Sequence, residues 1–157
     1  MPTLTNAQKA TRCMTLAVAV GLVLLANPLV AGELGASTVR ASAEQMFAKM
    51  PKDYFTIKVV PAEKEIATGQ PMGIDVREPS EFAEEHISSA KNIPLGSLVK
   101  QIKALPTNRT APILVYCKSG HRGAMGLTVL RMLGYENVRS IYGGIVGWKN
   151  AGLPVTK

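Results

Sequence analysis

The feature of this sequence that most constrains its fold is a regular alternation of short apolar runs with helical segments. Five segments are predicted as strands, namely 55–60, 72–76, 90–93, 111–116 and 138–141, and of these 72–76 and 111–116 are the clearest apolar runs. Segments with helical spacing or helix-ending residues lie between or after them: 62–68, 81–85, 97–105 and 123–133. Strands that alternate with helices are joined by crossover connections, so the pattern predicts an α/β fold with an open parallel sheet and helices on both faces.

The N-terminal segment has the order of a secretory signal peptide. Two basic residues are followed by Met14–Ala26, which carries no charge, and then by the small residues Ala31 and Gly32. This order predicts a signal peptide over residues 1–32, cleaved near its end, and therefore a periplasmic or secreted protein. The alternative is a retained membrane anchor facing the periplasm, because the uncharged stretch approaches the ~20 residues that a membrane span needs.

Length and charge bound the rest of the chain. The 157 residues suit one compact domain with a short extension, which we assign to 55–157 and 33–54, respectively. Capping-box spacing from Ser42 to Gln45 predicts that the extension contains a helix, which begins there and stops at Pro51. The net charge of +7 is spread without a Lys/Arg-rich block, so we expect small anionic substrates rather than nucleic acid.

The cysteine count makes one thiol stand out. The chain has two cysteines, and Cys13 lies in the segment predicted to be removed. Cys117 would then have no internal disulfide partner in a compartment that oxidises thiols in pairs. A buried structural cysteine is the ordinary explanation for a lone thiol, whereas the residues that follow Cys117 favour a nucleophile.

Those residues form a loop suited to binding an anion. The loop Cys117-Lys118-Ser119-Gly120-His121-Arg122 runs from an apolar strand into a helix, at an edge where open α/β sheets bind ligands. Its backbone N–H groups can turn inward, and the helix adds the positive end of its dipole. Lys118 and Arg122 add positive charge, so the surroundings favour a reactive thiolate on Cys117.

The loop resembles the active-site loop of single-domain rhodaneses. Further similarity to that family lies in Asp75–Pro79, Asn92–Pro94, Leu133–Tyr135 and Tyr142–Gly144, and Trp148 follows the last of these. The matches span about residues 55 to 154. The chain departs from the family's pattern at Gly123, where a Ser commonly follows the loop Arg, and at Ser88-Ser89.

The resemblance implies a sulfurtransferase with a persulfide on Cys117. The thiolate would take the sulfane sulfur of thiosulfate or a related anionic donor and pass it to cyanide or a thiol. The residues implied to bind substrate are Lys118, Ser119, Gly120, His121 and Arg122. Arg122 would hold the anionic end of the donor, and His121 is expected to be a bystander. Asp75 and Arg77 would support the loop structurally, and the family pattern implies neither a cofactor nor a metal.

Two other functions remain open from the sequence. The loop also resembles that of cysteine phosphatases of this fold, in which five residues separate Cys from Arg. In this chain four residues separate Cys117 from Arg122. The shorter loop favours a single sulfur atom over a phosphoryl group. A non-catalytic persulfide carrier or interaction module is the second alternative. The sequence does not predict the oligomeric state. Contact with a membrane is expected only if residues 1–32 are retained.

Overall fold

A computed structural model of the chain describes residues 28–69 and 71–157. Most of the predicted signal peptide lies outside these residues, so its cleavage stays a prediction. The first helix, α1 (Pro28–Ala48), begins inside the predicted signal segment, and Ser42 lies within it. The expectation that a helix starts at Ser42 is therefore wrong, because capping-box spacing alone does not end the helix that precedes it. Within the described residues, no helix is long and apolar enough to cross a membrane.

The remaining elements alternate as the sequence predicts. The strands are β1 (Thr56–Ile57), β2 (Met72–Asp75), β3 (Lys91–Asn92), β4 (Ile113–Tyr116) and β5 (Val138–Ile141). The helices are α2 (Val59–Ala67), α3 (Pro79–Glu84), α4 (His121–Met132) and α5 (Gly144–Asn150), and two short 3₁₀ turns cover Leu95–Ser97 and Ile102–Ala104.

Two elements differ from the sequence expectation. The strand expected over 55–60 is only two residues long, because α2 already begins at Val59. Pro61 fits there, since a proline within the first turn loses no helical hydrogen bond. The helix expected over 97–105 is replaced by the two 3₁₀ turns, which bury Leu98 and Leu105 in the core.

The five strands form one parallel sheet in the order β1-β5-β4-β2-β3. This arrangement confirms the predicted open parallel α/β fold. Strand β4 lies at the centre and pairs with β5 on one side and β2 on the other. The carboxyl end of β4 is therefore flanked by the ends of its neighbours, where ligands bind in such sheets.

Both faces of the sheet are covered. Alternate residues of β4 enter two separate cores: Ile113 and Val115 pack on one face, and Leu114 and Tyr116 on the other. The first core includes Leu127 and Leu130 of α4. The second includes Ala62 of α2 together with Ile145 and Trp148 of α5. Burial on both faces explains why the central strand β4 is continuously apolar rather than alternating in polarity.

Candidate active site

Cys117 directly follows the central strand and lies at the bottom of the predicted loop. Its side chain is 1% exposed and forms no disulfide. The backbone N–H of Gly120 donates to Cys117 Sγ at 3.2 Å. Cys117 thus combines the burial of a structural cysteine with a hydrogen bond that stabilises negative charge on sulfur.

Gly120 gives the loop its curvature. It has a left-handed backbone with φ of 110° and caps the N-terminus of α4. The first helical hydrogen bond recorded in α4 runs from Ala124 N to Gly120 O, at 2.9 Å. The N–H groups of His121, Arg122 and Gly123 precede that bond and belong to the helix end that attracts anions. The loop thus has the curvature and the adjoining helix N-terminus that the sequence analysis expects, and anion binding by it stays a prediction.

The opposite side of the loop is braced by α5. Ile145 N donates to Cys117 O at 2.9 Å, and Val146 N donates to Lys118 O at 3.1 Å. Gly144 makes this close approach possible: a Cβ on it would lie 2.3 Å from Cys117 O and 2.7 Å from Lys118 O. Gly144 therefore sets the position of the backbone that carries the nucleophile.

The glycine at position 123 leaves room for a neighbouring hydroxyl. A Cβ on Gly123 would lie 2.9 Å from the Oγ of Ser140, which is buried on β5. The same Cβ would lie 3.6 Å from Cys117 N. A Ser at position 123 would therefore compete with Ser140 for space, and the departure from the family pattern at Gly123 is matched by Ser140 on the adjacent strand.

Arg122 is held by an acidic residue from a different part of the chain. Its Nη1 and Nη2 donate to the two carboxylate oxygens of Glu81, at 2.6 and 2.8 Å. Hydrogen bonding to Arg122 lowers the pKa of Glu81 to about 2, and the same pair raises the pKa of Arg122 above its ordinary value. Both terminal nitrogens of Arg122 thus already contact an anion, so its role in binding the donor stays a prediction.

Three further predicted substrate-binding residues lie on the exposed side of the loop: Lys118, Ser119 and His121. Lys118 and Ser119 are exposed, and Gly120 lies between them and His121. The Oγ of Ser119 lies 3.1 Å from Nδ1 of His121, and both side chains face solvent. Of the five predicted loop residues, Gly120 is the one for which the structure shows a hydrogen bond to Cys117 Sγ.

Asp75 and Arg77 form a buried pair beneath the loop. Their side chains are 0% and 4% exposed, and Arg77 Nη2 donates to Asp75 Oδ2 at 2.6 Å. Burial by itself lowers the pKa of Arg77, but hydrogen bonds to Asp75 and its charge outweigh burial and raise it. Arg77 also donates to the main-chain oxygen of Glu85 at 2.6 Å. The pair thus fastens the carboxyl end of β2 to the end of α3.

Glu81, Ser140 and the bracing role of Gly144 escaped the sequence analysis. Glu81 lies 41 residues before Arg122, and no local spacing links the two. Ser140 is one of two polar residues in β5, and nothing in its local sequence marks it as a neighbour of the loop. The Tyr142–Gly144 pattern pointed to Gly144, but not to its contact with the Cys117 backbone. Only the tertiary fold brings these residues to the loop.

Comparison with known proteins gives one family match and several similar proteins that agree with it. A model of the rhodanese-like domain matches residues 60–151. The chain is 40% identical over 84 residues to an uncharacterized protein of Synechocystis sp., covering 54% of this chain and 46% of that protein. It is 31% identical over 84 residues to the thiosulfate sulfurtransferase PspE of Escherichia coli, covering 54% of this chain and 77% of that enzyme. The chain therefore spans about half the length of the Synechocystis protein and about three quarters of the length of the Escherichia coli enzyme.

A solved structure agrees with these sequence matches. The crystal structure of a rhodanese-related protein from Thermoplasma volcanium superposes with a TM-score of 0.60 at 32% identity, covering 66% of this chain and 98% of that one. The family match over residues 60–151 includes strands β2 to β5 and the loop that begins at Cys117. This chain belongs to the rhodanese-like domain family.

Proposed function

We propose that the chain is a sulfurtransferase that carries sulfane sulfur as a persulfide on Cys117. The observation that carries the proposal is the hydrogen bond from Gly120 N–H to Cys117 Sγ, at the N-terminus of α4. A sulfur placed there is stabilised as an anion by a backbone dipole and a helix end together. A core thiol of purely structural function needs neither of them.

The first step loads sulfur onto the protein. The Cys117 thiolate attacks the sulfane sulfur of thiosulfate, a new S–S bond forms, and the bond to the sulfonate sulfur breaks. The electron pair of that bond leaves with sulfite, so no external oxidant is needed. The N–H groups at the start of α4 and the ammonium of Lys118 stabilise the donor's negative charge. Arg122 reaches the donor only by exchanging its contact with Glu81.

The second step releases the sulfur. An acceptor such as cyanide or a thiolate attacks the outer sulfur, and the electron pair of the S–S bond returns to Cys117. An S–S bond is about 2.05 Å long, so an outer sulfur that points away from the core lies up to about 2 Å nearer to solvent than the buried Sγ. In that orientation the persulfide is more accessible than the resting thiol. Ping-pong kinetics are expected for the two separate half-reactions.

The test is the intact mass of the purified protein before and after treatment with thiosulfate. We expect a gain of one sulfur, about 32 Da, that cyanide removes. Cys117→Ser should prevent the gain, and Cys13→Ser is the matched control that should keep it in unprocessed protein. Absence of any sulfur on the wild-type protein would refute the proposal.

Turnover separates an enzyme from a carrier. A sulfurtransferase produces many equivalents of thiocyanate per protein chain when thiosulfate and cyanide are in excess. A carrier or interaction module loads one sulfur and releases it slowly. A single equivalent over hours would therefore replace the catalytic proposal with the carrier function.

We also propose that residues 1–32 direct export of the protein. The support is the order of basic residues, charge-free segment and small residues at the N-terminus. N-terminal sequencing of protein from the periplasmic fraction is expected to begin near Gly32. Intact Met1 in a washed membrane fraction would instead indicate a retained anchor.

A further inference from the structure

Basic and acidic groups meet at the active-site loop. The loop itself contributes Lys118, which is exposed, and Arg122. Helix α3 and the residue before it contribute the carboxylates of Glu81 and Glu78, and Glu81 accepts two hydrogen bonds from Arg122, at 2.6 and 2.8 Å. Two positive charges on the loop are therefore offset by two negative charges that come from a distant part of the chain.

Arg122 lies within electrostatic reach of both the nucleophile and the acidic helix. Hydrogen bonding to Glu81 raises the pKa of Arg122 despite partial burial. The negative charges of ionised Cys117 and of Glu78 raise that pKa further. A charge that interacts with Cys117 also interacts with a donor that approaches its sulfur. The Arg122–Glu81 pair therefore affects which donors can approach.

The carboxylate of Glu81 is a fixed negative charge. Its Oε1 accepts a hydrogen bond from Arg122 Nη2, and its Oε2 accepts from both Arg122 Nη1 and the backbone N–H of Glu78, the last at 3.1 Å. Hydrogen bonding to Arg122 lowers the pKa of Glu81 to about 2, so the carboxylate stays ionised at neutral pH. Because both oxygens are held, Glu81 turns away from the loop only by losing three hydrogen bonds.

Donors of sulfane sulfur differ in the charge that they bring to this pair. Thiosulfate carries two negative charges, whereas a thiosulfonate, in which an organic group replaces one oxygen, carries one. A doubly charged donor either leaves Arg122 with Glu81 and meets the carboxylate charge, or takes Arg122 and leaves Glu81 without its partner. Either route costs free energy that increases with the charge of the donor. The N–H groups at the start of α4 are available to either donor, so they do not offset this difference.

We propose that Glu81 determines donor specificity at Cys117, and that it favours sulfane-sulfur donors with one negative charge over donors with two. Glu81 acts through its charge and through Arg122, so it is a positioning residue and does not touch the reacting sulfur. Thiosulfate remains a donor, at a lower rate than its reactivity with a thiolate in solution would give. This inference rests on the proposed persulfide at Cys117 and adds to it a rank order of donors.

The loading step is balanced for a thiosulfonate as it is for thiosulfate. The Cys117 thiolate attacks the terminal sulfur of the thiosulfonate, a new S–S bond forms, and the bond from that sulfur to the sulfonyl sulfur breaks. The electron pair of the broken bond leaves with the sulfinate, so no external oxidant is needed. Both donors leave the same persulfide on Cys117. A difference between their loading rates therefore reports on the donor alone.

The experiment measures the rate of sulfur loading from thiosulfate and from methanethiosulfonate. Purified protein is mixed with either donor and quenched at intervals, and the gain of one sulfur is followed by intact mass to give two second-order rate constants. Glu81→Gln is expected to raise the ratio of the thiosulfate constant to the methanethiosulfonate constant about fivefold over wild type, the effect of removing one nearby, partly screened charge. At high salt this change should shrink, because screening weakens the charge and leaves the structural contacts in place.

Glu84→Gln is the matched control, because Glu84 is an exposed carboxylate on the same helix. It should retain the wild-type ratio, and so should Glu81→Asp, which keeps the charge. An unchanged ratio in Glu81→Gln would overturn the specificity role, as would an equal fall for both donors or the same rise in either control variant. If the wild-type protein loads no sulfur from either donor, the proposed function itself fails, and that result is known before any variant is compared.

Discussion

Replacement of Gly144 by Ala tests whether the backbone of α5 sets the position of the nucleophile. The new Cβ would lie 2.3 Å from Cys117 O, whereas ordinary contacts of a Cβ begin at 3.4 Å. The loop or α5 must therefore move by about 1 Å to relieve the overlap. Misplacement of reacting groups by about 1 Å lowers rates on the order of 100-fold. We expect kcat/KM for thiosulfate, measured with cyanide in excess, to fall by that factor.

Gly152→Ala is the control for this variant. Gly152 also has a left-handed backbone, with φ of 71° against 58° for Gly144, but a Cβ on it would meet nothing within 4 Å. Backbone strain should lower the unfolding free energy by roughly 1–2 kcal/mol in both variants, and the overlap with Cys117 O should add to the loss in Gly144→Ala, as measured by urea denaturation. Only Gly144→Ala should lose activity. If Gly144→Ala keeps the kcat/KM of Gly152→Ala, the bracing contact does not position the nucleophile.

Two further changes test the charge pairs around the loop. Glu81→Gln should lower the unfolding free energy by about 1 kcal/mol at pH 7. The fall in the pKa of Glu81 from its ordinary value of 4.5 to about 2 sets an upper limit of ~3 kcal/mol, and solvent screening of the partly exposed pair reduces it. Because the pKa of Glu81 is lower in the folded state, this stabilisation is complete above about pH 4.5 and is lost as the pH falls toward 2. The difference in unfolding free energy between wild type and Glu81→Gln should therefore narrow between pH 4.5 and 3 in urea titrations. A constant difference would contradict the pairing with Arg122. Asp75→Asn should lower the unfolding free energy by about 3–5 kcal/mol in the same assay, because it leaves Arg77 buried without its counter-charge. Glu85→Gln should change it by less than about 1 kcal/mol, since it keeps the main-chain oxygen that Arg77 contacts and removes only the partly exposed ion pair with Lys149. Similar losses in both variants would argue against the buried pair.

The parts of the fold that the sequence predicts are those set by local chemistry. Strand β4 is unbroken and apolar, so its position and its run into Cys117 follow from composition alone. The loop could be identified for the same reason, because its glycine, cysteine and basic residues are adjacent in the chain. The predictions that were wrong concern elements with competing local signals. Val59 and Val60 favour a strand, yet they begin α2 because packing of Ala62 against the sheet outweighs propensity.

The long-range contacts of the site were decided by the tertiary structure. Strand order places β2 and β5 on either side of β4, and this brings Glu81 to Arg122, Ser140 to Gly123, and Gly144 to the backbone of Cys117. Such pairs depend on distances between segments that lie far apart in the chain, and no periodicity encodes them. The sequence by itself determined the parallel α/β class and the position of Cys117 and its loop after the central strand, because hydrophobic pattern and backbone chemistry are local. The tertiary structure alone decided which residues hold that loop in place, because their contacts form only when the sheet has assembled.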